Sequence, residues 1–263
     1  MSLRYLKKAA VSIGVLAFWI ALWYLAALAV NNSLIFPSPL ETSKKLYLLM
    51  LTKDFWSFTA HSIVRITAGI AIAIPFSFIL SALCSYSMVA KKLFEPAVLL
   101  MKSTPVVSFI LIAVFIFERE TIPSAITFIM IFPVLYRNIG EGIDQTPTDL
   151  LEMAKLFRIP WLLKIKRIYI PSIMPYFCSA LTTSIGLAMK AGIAAEVVAY
   201  IPDSIGKKLS DAKSYMEPSE LLAWTAVIII LSLAIEKAVC LIIKLTKRES
   251  RYAGNNTSLQ KLR

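Results

Sequence analysis

The sequence predicts an all-α integral membrane protein. Of its 263 residues, 58% are hydrophobic and only 17% are charged, and the mean hydropathy is +0.71. A soluble domain averages about 45–50% apolar and about 25% charged residues. A soluble chain of this size would expose its surplus of apolar side chains, and a disordered chain would need far more charge. These values favour a polytopic helical membrane protein.

Six apolar segments are long enough for transmembrane helices, which need about 20 residues each. The first carries no charge, is too long for a signal peptide and lacks a cleavage site, so we expect it to be retained. The third is broken near Pro105, and the fifth contains Lys190 and Glu196. The predicted spans cover residues 9–30, about 60–90, 93–117, 121–136, 172–200 and 221–243.

Six spans put both termini on one side of the membrane, and basic residues indicate which side. With the termini inside, 17 Lys and Arg residues fall in cytoplasmic segments and 7 in outer segments. We therefore predict cytoplasmic termini for a single membrane domain over 1–263, with an N-terminal helix in 1–34 and a flexible cytoplasmic tail at 246–263. The net charge of +12 follows from the inner loops, so we predict no nucleic-acid binding.

The sequence contains few residues that could bind a metal ion or catalyse a covalent reaction. His61 is the single histidine, and the three cysteines each lie in an apolar run, which is typical of buried packing residues. We predict no metal site and no catalytic residue, and an integral membrane enzyme is a poor alternative.

Two loops show helix signals. Ser38-Pro39-Leu40-Glu41 is a capping box that predicts a short outer helix ending near Leu51. In the long inner loop, Thr146 as N-cap and Pro147 at the first helical position predict a helix to about Arg158. Its apolar positions recur at i, i+3, i+4 and i+7 and form one stripe: Leu150, Met153, Ala154 and Phe157.

After Ile159-Pro160, a second basic helix is predicted for 161–169, ending before Pro171. An amphipathic helix at this place has two uses. It either lies among lipid headgroups or docks on a soluble partner, and the pattern alone leaves both open.

The run Glu152-Met153-Ala154-Lys155-Leu156-Phe157-Arg158, followed by Ile170-Pro171, resembles the cytoplasmic signature of ABC importer permeases. That signature has Glu-Ala-Ala, three residues, Gly, about eleven residues, then a hydrophobic residue and Pro. Here Met153 replaces an Ala and Arg158 stands at the Gly position. The turn is therefore expected at Ile159-Pro160.

Further motifs over about residues 35–243 resemble the nitrate, sulfonate and taurine branch of that family. They are Pro37-Ser38-Pro39, Ser62 with Arg65, Pro105, Phe132-Pro133, Gly192-Ile193-Ala194-Ala195-Glu196, Ile205-Gly206 and Trp224.

The resemblance implies a type I ABC importer permease fold, with a permease core at 35–245 and a coupling loop at 138–171. It implies a homodimer in the bacterial inner membrane, two ABC ATPase subunits that carry ATP and Mg, and an external binding protein that delivers a small solute of the nitrate, sulfonate, taurine or vitamin-precursor type. The chain itself lacks a phosphate-binding loop and needs no cofactor. The residues implied for coupling are Leu150, Glu152, Met153, Ala154, Lys155, Phe157, Arg158 and Ile159.

Three residues of the fifth span are candidates for the translocation path: Thr183, Lys190 and Glu196. An ionisable group at membrane depth costs about 2.5–3.5 kcal/mol on insertion scales, so each needs a reason. Lys190 would attract an anion if the span lines an aqueous path; otherwise neighbouring helices satisfy both charges. The alternative function is a secondary transporter driven by an ion gradient, which often contains two repeated halves, and no repeat is evident here.

Overall fold

The computed structural model describes the backbone of residues 2–260 and the side chains of residues 11, 13–241 and 243. Within this part of the chain every regular element is helical. The α-helices in chain order are α1 (Ser2–Val30), α2 (Pro39–Met50), α3 (Lys53–Tyr86), α4 (Met88–Ser103), α5 (Val106–Ile116), α6 (Ile122–Asp144), α7 (Thr148–Leu156), α8 (Trp161–Lys164), α9 (Ile170–Ala199), α10 (Ile205–Ser214) and α11 (Pro218–Gln260). The tail predicted at 246–263 lies outside the residues whose side chains are described.

Five helices of the described chain, α1, α3, α6, α9 and α11, are each long and apolar enough to span a membrane. α4 and α5 are apolar enough only as a pair and are bent by 107° at their junction, the geometry of a broken sixth span or of a re-entrant loop. The bend falls at Thr104-Pro105, because proline lacks an N–H and disfavours helical geometry in the residue before it. The predicted third span is therefore a broken helix.

Two of the predicted helices are shorter than the observed ones. α3 begins at Lys53 rather than near residue 60, because the Thr52 hydroxyl accepts a hydrogen bond from the Phe55 N–H at 3.4 Å and caps the helix. α6 continues to Asp144, eight residues beyond the predicted 136. Its last two turns are amphipathic, and Ile139 in them is buried against the protein. A search for uninterrupted apolar segments does not detect such turns.

The core is built by α3 and α6, which run parallel, with α9 packed across them. Three serine hydroxyls hold the parallel pair by donating to backbone carbonyls of the other helix. They are Ser81 to Tyr136 at 2.7 Å, Ser77 to Phe132 at 3.5 Å and Ser124 to Arg65 at 2.7 Å. In a bilayer, close packing and hydrogen bonds of this kind associate helices, because lipid is as apolar as the side chains.

At Gly192, α9 packs tightly against α3. A Cβ added there would overlap the fully buried side chain of Ile66 and lie 3.0 Å from the Thr127 hydroxyl oxygen. Gly186, six residues earlier on the same helix, has open space at the same position. Small residues let membrane helices pack closely, so Gly192 is required by the packing and Gly186 is not.

We expect Gly192→Val to destabilise the purified permease, since overpacking a tight core costs about 1–3 kcal/mol. The matched control is Gly186→Val, which adds the same side chain to open space. Thermal unfolding followed by fluorescence should show a lower midpoint for Gly192→Val alone. Equal midpoints for the two variants would contradict this packing.

The outer helix α2 forms as predicted. The Ser38 N–H donates to Glu41 at 2.9 Å while the Ser38 hydroxyl accepts from the Glu41 N–H at 3.3 Å, which completes the capping box. Lys45 ties α2 to the start of α11 through ion pairs of 2.9 Å with Glu217 and Glu220. These hydrogen-bonded carboxylates raise the pKa of Lys45 above its ordinary value. Lys45 therefore links the short helix α2 to the start of α11.

Candidate functional site

The loop between α6 and α9 folds into two short helices, as the sequence predicts, but its first cap differs. The Thr146 hydroxyl is buried and donates to the Gly142 carbonyl at 3.2 Å, so it ends α6 instead of capping α7. Pro147 is the residue before α7, which starts at Thr148 without a side-chain cap. The predicted N-cap role of Thr146 is wrong because its hydroxyl bonds back to its own helix.

Arg158 makes the turn between α7 and α8. Its φ of 52° is left-handed, and the Ile159 N–H returns to the Ala154 carbonyl at 2.9 Å, which closes the end of α7 after Leu156. The expectation that Ile159-Pro160 builds the turn is therefore wrong by one residue. A side chain in this conformation costs about 1–2 kcal/mol, which explains why the related signature has Gly here.

The second predicted helix does not end before Pro171. α8 passes through a π-helical turn, Ile165–Tyr169, directly into α9. Pro171 would normally clash with the carbonyl four residues earlier, and the wider π turn removes that conflict. The second helix of the loop and the fifth span are therefore one continuous helical segment, Trp161–Ala199.

The residues predicted for coupling divide between an exposed apolar row and a cleft. Leu150, Met153 and Phe157, which we call the α7 face, are exposed at 39%, 43% and 75%. Leu156, which the stripe pattern did not select, is exposed beside them at 82%. Such a row of exposed apolar side chains on a loop indicates a covering partner.

The polar residues of the predicted set border a cleft of about 480 Å³ between α7 and α8. It is lined by Leu151, Glu152, Ala154, Lys155, Arg158, Ile159, Trp161 and Lys164. Ala154 is only 3% exposed and forms part of its floor. Ala154 therefore packs inside the chain, and the exposed apolar side chains are those of the α7 face.

On α9, Thr183 and Lys190 are both exposed and lie seven residues apart, which places them on one face of the helix. Gly186, between them, leaves open space. The Thr183 hydroxyl donates to the Ser179 carbonyl at 3.0 Å, so it is satisfied by its own helix. Lys190 forms no ion pair with any side chain that the structure describes.

Glu196 lies on a different face and is completely buried, at 0% exposure. Its Oε2 accepts a hydrogen bond from the Ser62 hydroxyl at 2.8 Å and from the Gly206 N–H at 3.1 Å, and its Oε1 is 3.7 Å from an Arg65 nitrogen. In this conformation Glu196 contacts neighbouring helices and does not face an open path. Sequence reasoning did not join these residues, because Ser62 and Arg65 lie more than 130 residues before Glu196 and no local pattern connects them.

Comparisons with known proteins agree with this architecture. Residues 73–245 match the family model of the binding-protein-dependent transport system inner membrane component. The putative aliphatic sulfonates transport permease protein SsuC of Bacillus subtilis is 22% identical over 239 residues, covering 89% of this chain and 86% of the relative. The bicarbonate transport system permease protein CmpB of a Synechocystis species is 28% identical over 244 residues, covering 88% and 86%.

Among solved structures, a bacterial ABC transporter involved in the import of the acidic polysaccharide alginate matches with a TM-score of 0.66. The match is 14% identical and covers 91% of this chain and 95% of that one. The helices thus have the type I importer permease fold, and nothing in the comparisons favours the ion-gradient alternative. The family model covers most of the chain, and the chain therefore belongs to the binding-protein-dependent transport system inner membrane components, as a multi-pass permease of an ABC importer.

Proposed function

We propose that two copies of this chain form the translocation path of an importer for a small anion, and that an ATPase subunit docks on the α7 face of each copy. The observation that carries the docking proposal is the exposure of Phe157, at 75%, on a loop outside the spans. Burying an aromatic side chain against a protein groove gives a large favourable energy.

The charge of α7 favours a protein partner over lipid headgroups. α7 carries Asp149 and Glu152 against Lys155 and is therefore net acidic. Helices that lie on anionic lipid are rich in Lys and Arg on their polar face. The cleft beside α7 also has both signs of charge, which suits a complementary protein surface.

ATP and Mg would be bound by the partner ATPase subunits, since the chain has no phosphate-binding loop. An external binding protein would deliver the solute to the opposite face, as the family description implies. The permease itself then supplies the path and the alternating movement, without covalent chemistry.

Lys190 supports an anionic solute. It is an exposed cation within a membrane span, where a charge is stable only if it meets water or a counter-ion. Two copies packed with these faces of α9 toward each other would enclose Lys190 and Thr183 in a shared aqueous path. The relatives named for aliphatic sulfonates and bicarbonate both point to anions as the solute class.

Uptake by proteoliposomes that contain the permease with its ATPase and binding protein tests the solute class. We expect a labelled small anion, such as a sulfonate or nitrate, to accumulate and unlabelled anions to compete. Accumulation of a neutral solute that no anion inhibits would contradict the proposal.

Single cysteines at Ser43, Thr148 and Ser214 test the orientation, in a background without the three native cysteines. All three positions are exposed, with Ser43 on α2, Ser214 on α10 and Thr148 on the inner loop. We expect an impermeant maleimide to label Ser43 and Ser214 variants in intact cells, because basic residues are retained on the inner side. Thr148 should react only after the membrane is opened, and the reverse pattern would contradict the topology.

A further inference from the structure

At the outer end of α9, a closed set of hydrogen bonds joins three helices. Glu196 of α9 accepts from the Ser62 hydroxyl of α3 at 2.8 Å and from the Gly206 N–H of α10 at 3.1 Å. The Ser62 oxygen in turn accepts from the Ile205 N–H at 2.9 Å. Ser62 and Glu196 are fully buried, so these bonds do not compete with water.

These contacts satisfy the N-terminus of α10. The first N–H groups of a helix have no partner within the helix. In α10, the Ile205 and Gly206 N–H groups are taken by α3 and α9, and only the Lys207 N–H is capped locally, by Ser204 at 3.0 Å. A Cβ on Gly206 would overlap Glu196, so the backbone of α10 rests directly on that side chain.

Arg65 holds the turn that leads from α9 to α10. Tyr200 and Asp203 in this turn have left-handed φ values of 51° and 50°, which are unfavourable for residues other than Gly. Arg65 donates to the Pro202 carbonyl at 3.4 Å and to the Asp203 carbonyl at 3.5 Å, and it pairs with Glu120 beside α6. The turn is therefore stabilised from α3 as well as by its own hydrogen bonds, such as that of the Ser204 hydroxyl to the Ile201 carbonyl at 2.7 Å.

We propose that Glu196 is a positioning residue that fastens α10 to the outer end of α9, so that movement of α9 reaches the outer surface through α10. The helical segment Trp161–Ala199 is continuous from the inner loop to this cluster. A displacement of α8 would thus be passed along one continuous helical segment to Glu196. The transmission step rests on the proposed docking of an ATPase at the inner loop, whereas the fastening of α10 does not.

Hydrogen–deuterium exchange of the purified permease tests the fastening. We expect Glu196→Ala to increase hydrogen exchange at residues 205–207 about tenfold. The Gly206 N–H loses its buried acceptor, so the start of α10 opens to solvent more often. Glu196→Gln should retain most of the protection, since its amide oxygen still accepts from Ser62 and Gly206. Ser184→Ala is the matched control, because Ser184 is buried on the same helix and its hydroxyl has no hydrogen-bond partner among the described residues.

Exchange at α10 that stays unchanged in Glu196→Ala would overturn the proposal. If Glu196→Ala fails to fold, Ser62→Ala supplies the second test, because it removes one hydroxyl and leaves the carboxylate. It should also increase exchange at Ile205, and unchanged exchange there would again overturn the proposal.

A spin label at Lys213 of α10, in a complex with the ATPase subunits, tests the transmission. In the otherwise wild-type permease, the distance between the labels of two copies should differ between the ADP and the ATP–vanadate states. In Glu196→Ala this difference should disappear while ATP hydrolysis continues. An equal difference in both proteins would overturn the inference, whereas no difference in either would contradict the proposed coupling instead.

Discussion

Phe157→Asp is expected to release the ATPase subunits from the purified complex and to abolish uptake. Phe157 projects from the end of α7 with 75% of its surface exposed in the single chain. Docking would bury this position, and a carboxylate buried without a partner costs several kcal/mol. A loss of that size reduces affinity by several powers of ten, since each 1.4 kcal/mol is about tenfold.

Thr148→Asp is the matched control for this variant. It adds the same charge at the first residue of α7, where an acidic side chain favours the helix dipole. We expect it to retain the ATPase in the copurification assay. If α7 instead lay among lipid headgroups, Asp at position 157 could turn to water and the complex would stay intact, so retention of the ATPase by Phe157→Asp would contradict the docking surface.

Lys190→Met is expected to reduce anion uptake about tenfold or more while the complex with the ATPase remains assembled. The estimate corresponds to the loss of one charge-assisted contact of about 1.5–3 kcal/mol. Met keeps the length of the side chain and removes only the charge. Because Lys190 is exposed and lies away from the packed Gly192 face, folding should not change.

Lys190→Arg provides the rescue for this prediction, since it restores a cation at the same depth. We expect it to recover a large part of the uptake, measured as the initial rate in proteoliposomes. Normal uptake by Lys190→Met would show that the charge has no part in transport and that Lys190 is a structural residue.

The local signals in the sequence were sufficient where one segment decides its own structure. The capping box at Ser38 and Glu41 places α2, and long uncharged runs place the spans, because both depend on residues close in sequence. The end of α6 could not be located in this way. Its final turns are stabilised by tertiary packing around Ile139, and a hydropathy profile contains no information on such packing.

The inner loop was predicted in kind but not in detail. The apolar stripe correctly indicated a short helix, yet Ala154 faces the interior and Leu156 is exposed. The helix ends at Leu156, before the predicted end near Arg158, because Arg158 takes a left-handed conformation. No residue pattern in the sequence indicates that conformation. A cost of about 1–2 kcal/mol at one residue is outweighed by the hydrogen bond that closes the helix end and by the contacts of the loop.

The Glu196 cluster could not have been derived from spacing. Ser62 and Arg65 were noted only as part of the resemblance, and their contact with Glu196 arises from the packing of α3 against α9. An acidic residue in an apolar span indicates that a partner exists but not which one. The structure identifies the partners of Glu196 as Ser62 of α3 and the N–H of Gly206 in α10.

Docking of an ATPase subunit on the α7 face is measured most directly by photo-crosslinking in intact cells. A benzophenone amino acid at position 157 should form a crosslink to an ABC ATPase chain, identified by the phosphate-binding loop in its mass-spectrometric sequence. The same probe at Leu99, an exposed residue of α4 in the bent membrane span, should react with lipid. Crosslinks from position 157 to lipid alone would contradict the docking of an ATPase subunit on this face.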